Sequence, residues 1–287
     1  MASPQPYPCD VALSDELETR YARTDDGVDL AYRVIGDGPP DLLWSFSQLS
    51  DVEAIFEYAP IAEFLEDLAS FSRVIIHDRR GMGRSGGRPG DLETDLGDLV
   101  VLLDAIGAER PYLAGAVLGG AIYAAFAARH PDRCSGLVWH GAVARQAWAR
   151  DYPWGGTEEE LDVYTREITD AWGTRTFAAD FVAGGAPSVA GREDAIRFFA
   201  RWMQATYDAP TAAAYDGAWN AVDLRTTLPS VAVPAVVISR ALNPAEGAHV
   251  ASLMPRARYV ALDGDDFMPF FDRGPVIAEI RQLLGPG

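Results

Sequence analysis

The apolar run Tyr112-Leu113-Ala114 ends at Gly115, a glycine pair follows at Gly119-Gly120, and Val117 sits between them ahead of an alanine-rich run reaching His130-Pro131. Strand, sharp turn, helix is the build that presents a nucleophilic serine to a carbonyl. The glycines let the two backbones approach, and the central residue is held at positive φ. Here that residue is Val117, which cannot attack a carbonyl. A β-branched residue at positive φ costs about 1–3 kcal/mol, so the segment predicts either a relaxed turn or tolerated strain.

Two other glycine clusters match chemical motifs but fail on context. Gly83-Arg84-Ser85-Gly86-Gly87 has nucleophile spacing, and Gly81-Met82-Gly83-Arg84-Ser85-Gly86 has dinucleotide-binding spacing. Either motif must run straight into a helix. Arg88-Pro89-Gly90 intervenes, which predicts a plain loop.

Composition removes several classes of chemistry. All 24 basic residues are arginine, so lysine Schiff bases and lysine general bases are excluded. A net charge of −18 repels phosphate backbones and anionic lipid surfaces, making nucleic acid and membrane poor partners. Cys9 and Cys134 form neither a disulfide framework nor a metal spacing, so no metal and no cofactor is expected. The start, Met1-Ala2-Ser3-Pro4-Gln5-Pro6, lacks the features of an export signal, and a soluble cytoplasmic protein is the expectation.

The elements that must position these residues alternate. Thr19 to Ile35 reads as a hairpin around Asp25-Asp26-Gly27, and Asp41–Phe46, Arg73–His77, Ser135–His140, Ala235–Ser239 and Arg258–Leu262 read as strands. Helical runs at Glu53–Ser70, Asp91–Ile106 and Asp272–Leu284 separate or follow them. This alternation predicts an α/β fold with a mostly parallel central sheet covered by helices on both faces. From Arg145 to about Asp223 the alternation stops and helices rich in Trp and Tyr take over, a cap that suits a small hydrophobic, even aromatic, ligand. The expected organisation is a tail at 1–17, a core at 18–145 and 224–287, and a helical cap at 146–223. Trp148, Trp154 and Tyr164 are the aromatics assigned to the cavity.

Four strings carry a family resemblance: Leu68-Ala69-Ser70-Phe71-Ser72-Arg73-Val74-Ile75, Asp78-Arg79-Arg80-Gly81-Met82-Gly83-Arg84-Ser85, Asp151-Tyr152-Pro153-Trp154-Gly155 and Gly264-Asp265-Asp266-Phe267-Met268-Pro269-Phe270-Phe271. Over roughly residues 18–285 the chain resembles the α/β-hydrolase fold, and specifically the hydrolase-like domains found beside bacterial adenylate and guanylate cyclases. The resemblance implies a nucleophile on the elbow, an acid after a late strand and a histidine before the last helix. By that resemblance the nucleophile position holds Val117, the histidine position holds Phe267, and the acid position is Asn243 or lies in a local deletion, so a degenerate triad lines the expected pocket. By the same resemblance, Leu118 and Gln48 would supply oxyanion donors, and Ser45, Ser47 and Asp51 lie in the neighbouring turn.

His140, at a strand end where some relatives place an acid, is the candidate general acid or base. These readings lead to the expectation of a cofactor-free, non-hydrolytic enzyme, an isomerase, cyclase or lyase, acting on a small hydrophobic metabolite. The alternatives are a non-catalytic ligand-binding pseudo-hydrolase, and a hydrolase whose nucleophile has moved to Asp78, Ser45 or Ser47 working with His140.

Overall fold

The computed structural model describes residues 17–240 and 244–285; most of the expected tail, and Asn243, lie outside them. The alternating segment at the start forms a hairpin of β1 (Arg20–Arg23) and β2 (Asp29–Ile35), with Arg23 opposite Asp29. There follow β3 (Asp41–Ser45), α1 (Ala59–Ala69), β4 (Arg73–His77) and α2 (Leu92–Ile106). Asp91 caps α2 by accepting from the Thr94 N–H, and Gly107, at φ 71°, ends it in the left-handed conformation.

The centre of the chain supplies β5 (Tyr112–Ala116), α3 (Leu118–Arg129) and β6 (Gly136–His140). Every residue of α3 from Leu118 to Ala127 is buried, which accounts for its apolar composition on all sides. After β6 come four helices, α4 (Glu158–Ala171), α5 (Arg175–Gly185), α6 (Glu193–Thr206) and α7 (Ala209–Asn220). The chain then returns through β7 (Ala235–Arg240), α8 (Pro244–Leu253), β8 (Ala257–Leu262) and α9 (Arg273–Leu284).

One eight-stranded sheet results, in the order β1-β2-β4-β3-β5-β6-β7-β8. β2 runs antiparallel to β4, whereas β3 to β8 are mutually parallel. Parallel strands covered on both faces read as continuous apolar runs, and β6 and β7 are buried throughout. The strand order reverses direction between β3 and β5, and ligands of open α/β sheets bind beyond the strand ends at such a point. The register places Ser45 opposite Gly115 and Ala116 opposite His140 at that end. Among the described residues, no helix is long and apolar enough to cross a membrane.

Candidate functional site

The turn between β5 and α3 keeps its strain. Val117 has φ 44° and ψ −107°, the one positive-φ residue other than glycine among the described residues. Its backbone is held from both sides: its N–H donates to the His140 carbonyl (2.8 Å), and its carbonyl accepts from the Trp139 indole N–H (2.7 Å). The glycines are steric necessities. A Cβ on Gly115 would meet the Gly120 nitrogen at 2.6 Å, and one on Gly119 would meet the Phe46 carbonyl and Ser45 Oγ at 2.6 Å. A Cβ on Gly120 would sit 2.1 Å from the Trp139 ring. Surroundings this tight over-determine the turn, which is how an unfavourable φ persists.

Above this turn lies a cavity of about 910 Å³. Ala116 and Val117 form its floor, and the loop after β3 contributes Phe46, Ser47 and Gln48. One wall is the loop from Phe267 to Phe270; the roof comes from α4, α5 and α6. The polar groups on the floor side are few. The Ser47 hydroxyl donates to Gln48 Oε1 (2.9 Å), and the Tyr164 hydroxyl is hydrogen-bonded to the Gln48 side chain. Burial pushes the Tyr164 phenol up to about 12. Leu118 opens α3, and the first N–H groups of a helix have no acceptor within it. The turn therefore retains the backbone donor that an oxyanion site needs.

The roof is stitched to the floor. The Tyr207 hydroxyl donates to the Gln48 carbonyl (2.8 Å), the Gly83 N–H donates to the Thr206 carbonyl (2.9 Å), and the Ser50 N–H donates to Thr206 Oγ1 (3.1 Å). The end of α6 is thus bonded to the loops after β3 and β4.

Several expectations about site residues are corrected. His140 is fully buried but does not line the cavity: Phe267 does, with its ring 5.3 Å from the imidazole, centroid to centroid. Among the described residues neither imidazole nitrogen has a partner, and burial, with the Arg240 charge nearby, pushes the group down to about 3. A neutral, walled-off imidazole is not placed to exchange protons with a ligand. Trp148 is 51% exposed and Trp154 packs on Tyr152 and His249, so neither lines the cavity and only Tyr164 of the three does.

Ser45 lies behind the floor, its hydroxyl donating to the Phe46 carbonyl. Asp51 is buried, accepting from the Glu53 and Ala54 N–H groups and facing Arg84. Asp78 accepts from Ser50 Oγ (2.5 Å) and from the Val52 and Arg84 backbone N–H groups, so it organises loops; the arginine it meets is a main-chain donor. Burial raises it to about 7. The Gly81–Gly86 cluster is the expected loop, in which Ser85 bridges the Asp78 carbonyl and the Ala31 N–H.

What the sequence reading missed is the phenylalanine lining: Phe177 and Phe181 on α5, Phe199 on α6, and Phe270. The periodic spacing of Phe198, Phe199 and Trp202 was the available signal, but it marks an apolar helix face without saying whether that face meets a wall or a void.

Comparison with known proteins agrees with this architecture. The family model described as alpha/beta hydrolase fold matches residues 57–273, and the chain belongs to that family. RutD of Caulobacter sp. (strain K31), named as a candidate carbamate hydrolase, is 37% identical over 92 residues, 31% of this chain and 32% of that one. Epoxide hydrolase B of Mycobacterium tuberculosis is 39% identical over 70 residues, 23% of this chain and 20% of that one. These matches span a third or less of the length of either curated relative. Among solved structures, the enol-lactonase from Burkholderia xenovorans LB400 superposes with a TM-score of 0.75 at 26% identity, covering 92% of this chain and 99% of that one.

These relatives overturn the expectation of a non-hydrolytic isomerase, cyclase or lyase, because each is named for hydrolysis. Val117 removes attack from that residue and does not by itself define a different reaction.

Proposed function

We propose that the chain uses its cavity to bind a small apolar carbonyl compound of the ester or lactone type, the kind of compound the enol-lactonase is named for, and that it does so without covalent attack from the elbow. The observation that carries this reading is Val117, which occupies the strained nucleophile position on the cavity floor with no group able to bond to a carbonyl. Phe267 fills the base position with a hydrocarbon ring, and Asn243 stands at the third position by sequence alone. The retained N-terminus of α3 and the Gln48 side chain offer donors to the ligand oxygen. On this reading the protein is a triad-less family member, and its strings resemble those of the hydrolase-like domains that accompany bacterial cyclases.

The test is thermal unfolding and calorimetry with δ-decalactone, followed by analysis of the recovered ligand. A raised Tm with the lactone recovered intact is the expected result. The absence of any binding overturns the reading.

A second reading, hydrolysis with the nucleophile away from the elbow, is favoured by Ser47, whose hydroxyl lines the cavity next to Gln48. It predicts release of p-nitrophenol from p-nitrophenyl butyrate, lost in Ser47→Ala and retained in Ser45→Ala.

A further inference from the structure

The cavity interior and its mouth differ in chemistry. Inside, the walls are hydrocarbon and aromatic, with Phe181, Phe199, Trp202 and Phe267 among them. At the mouth the charged lining is exposed and mostly of one sign: Glu167 and Asp170 on α4, and Asp180 on α5, against a single Arg166. Val163, Glu167 and Asp170 follow the i, i+4, i+7 spacing that puts side chains on one helix face. No ion pair involves any of these four side chains among the described residues, whereas Glu193 pairs with Arg175 and Asp194 with Arg192. Two aromatic rings of the lining, Tyr164 and Phe177, stand 6.3 Å apart, and the Glu167 charge acts on the Tyr164 phenol.

Resting on the ligand-binding reading above, we infer that the cavity selects its ligand by charge: an apolar body enters, and a cationic group, such as a protonated amine, stays at the mouth among Glu167, Asp170 and Asp180. Three effects favour this arrangement. Unpaired carboxylates attract a cation without first giving up a partner. Aromatic faces in the cavity lining accept a cation through their π systems. The whole-chain charge of −18 raises the local concentration of cations and lowers that of anions. A carboxylate-ended ligand of the same shape meets the reverse of all three.

The experiment uses three compounds that share a 4-(biphenyl-4-yl)butyl body and end in ammonium, hydroxyl or carboxylate, titrated into the full chain by calorimetry at pH 7. The expected order of affinity is ammonium, hydroxyl, carboxylate, with steps of about fivefold each, because exposed charges act through water. The spread should collapse in 1 M salt. In the triple variant Glu167→Gln, Asp170→Asn, Asp180→Asn the ammonium should lose its advantage over the alcohol. Equal binding of all three, or carboxylate binding tightest, overturns the inference and leaves the cavity reading intact. Failure of the alcohol to bind removes the cavity reading, and this inference with it.

Discussion

The ring of Phe267 lies 5.3 Å from the imidazole of His140 and lines the cavity, which the imidazole does not. Gly141 makes this possible: at φ 63°, it presents no side chain, and a Cβ there would meet the Phe267 ring at 2.3 Å. A fully buried imidazole whose two nitrogens have no partner among the described residues is therefore packed against a ring of the cavity lining.

This arrangement sets a pH dependence of stability. His140 is held down to about 3, below its ordinary 6.5, so the unfolded chain binds a proton that the folded chain refuses. Its contribution is constant above about pH 6.5 and becomes increasingly unfavourable as pH falls from there toward 3. Urea unfolding of the native chain and His140→Leu, at pH 7 and pH 4.5, should show the difference between them moving by roughly 2 kcal/mol in the variant's favour at the lower pH. Parallel behaviour at both pH values would show that the imidazole is protonated in the folded state.

The strain at Val117 inverts a familiar order. Glycine usually destabilises relative to alanine, but at φ 44° it is relieved of the Cβ penalty. Val117→Gly should be more stable than Val117→Ala by about 1 kcal/mol in chemical denaturation. Alanine being the more stable of the two would mean the turn relaxes in solution.

Much of this turn was legible beforehand, because glycines at 115, 119 and 120 around an apolar strand leave few alternatives. The sheet was legible for the same local reason: β4 and β6 are short apolar runs bounded by clear breaks. The site was not. Whether His140 meets the cavity depends on where a ring 127 residues away comes to rest, and no local pattern carries that. Trp148 and Phe199 show the same limit from opposite sides: the tryptophan assigned to the cavity faces solvent, and the phenylalanine passed over lines the void.

Packing across the elbow should be unforgiving. Gly120→Ala would gain helix propensity, yet its methyl carbon would fall 2.1 Å from the Trp139 ring, whose indole also holds the Val117 carbonyl. A net loss of about 2 kcal/mol or more is expected, read as a lowered urea midpoint. A neutral substitution would indicate that Trp139 can move aside.

The turn at Val117 should also be able to carry a nucleophile. Val117→Ser alone places a hydroxyl without a base, whereas Val117→Ser with Phe267→His puts both groups on the same cavity. Labelling by a fluorophosphonate should be faster in the double variant by roughly a hundredfold, the lower end of what a positioned base contributes. Equal rates would show that position 267 is out of reach of the elbow.

The bonds from Tyr207 to Gln48 and from Gly83 to Thr206 tie roof and floor into one mechanical unit. A guest bulky enough to lift the end of α6 must drag the Gln48 backbone with it, so entry and recognition are geared together: the door cannot swing without turning the lock.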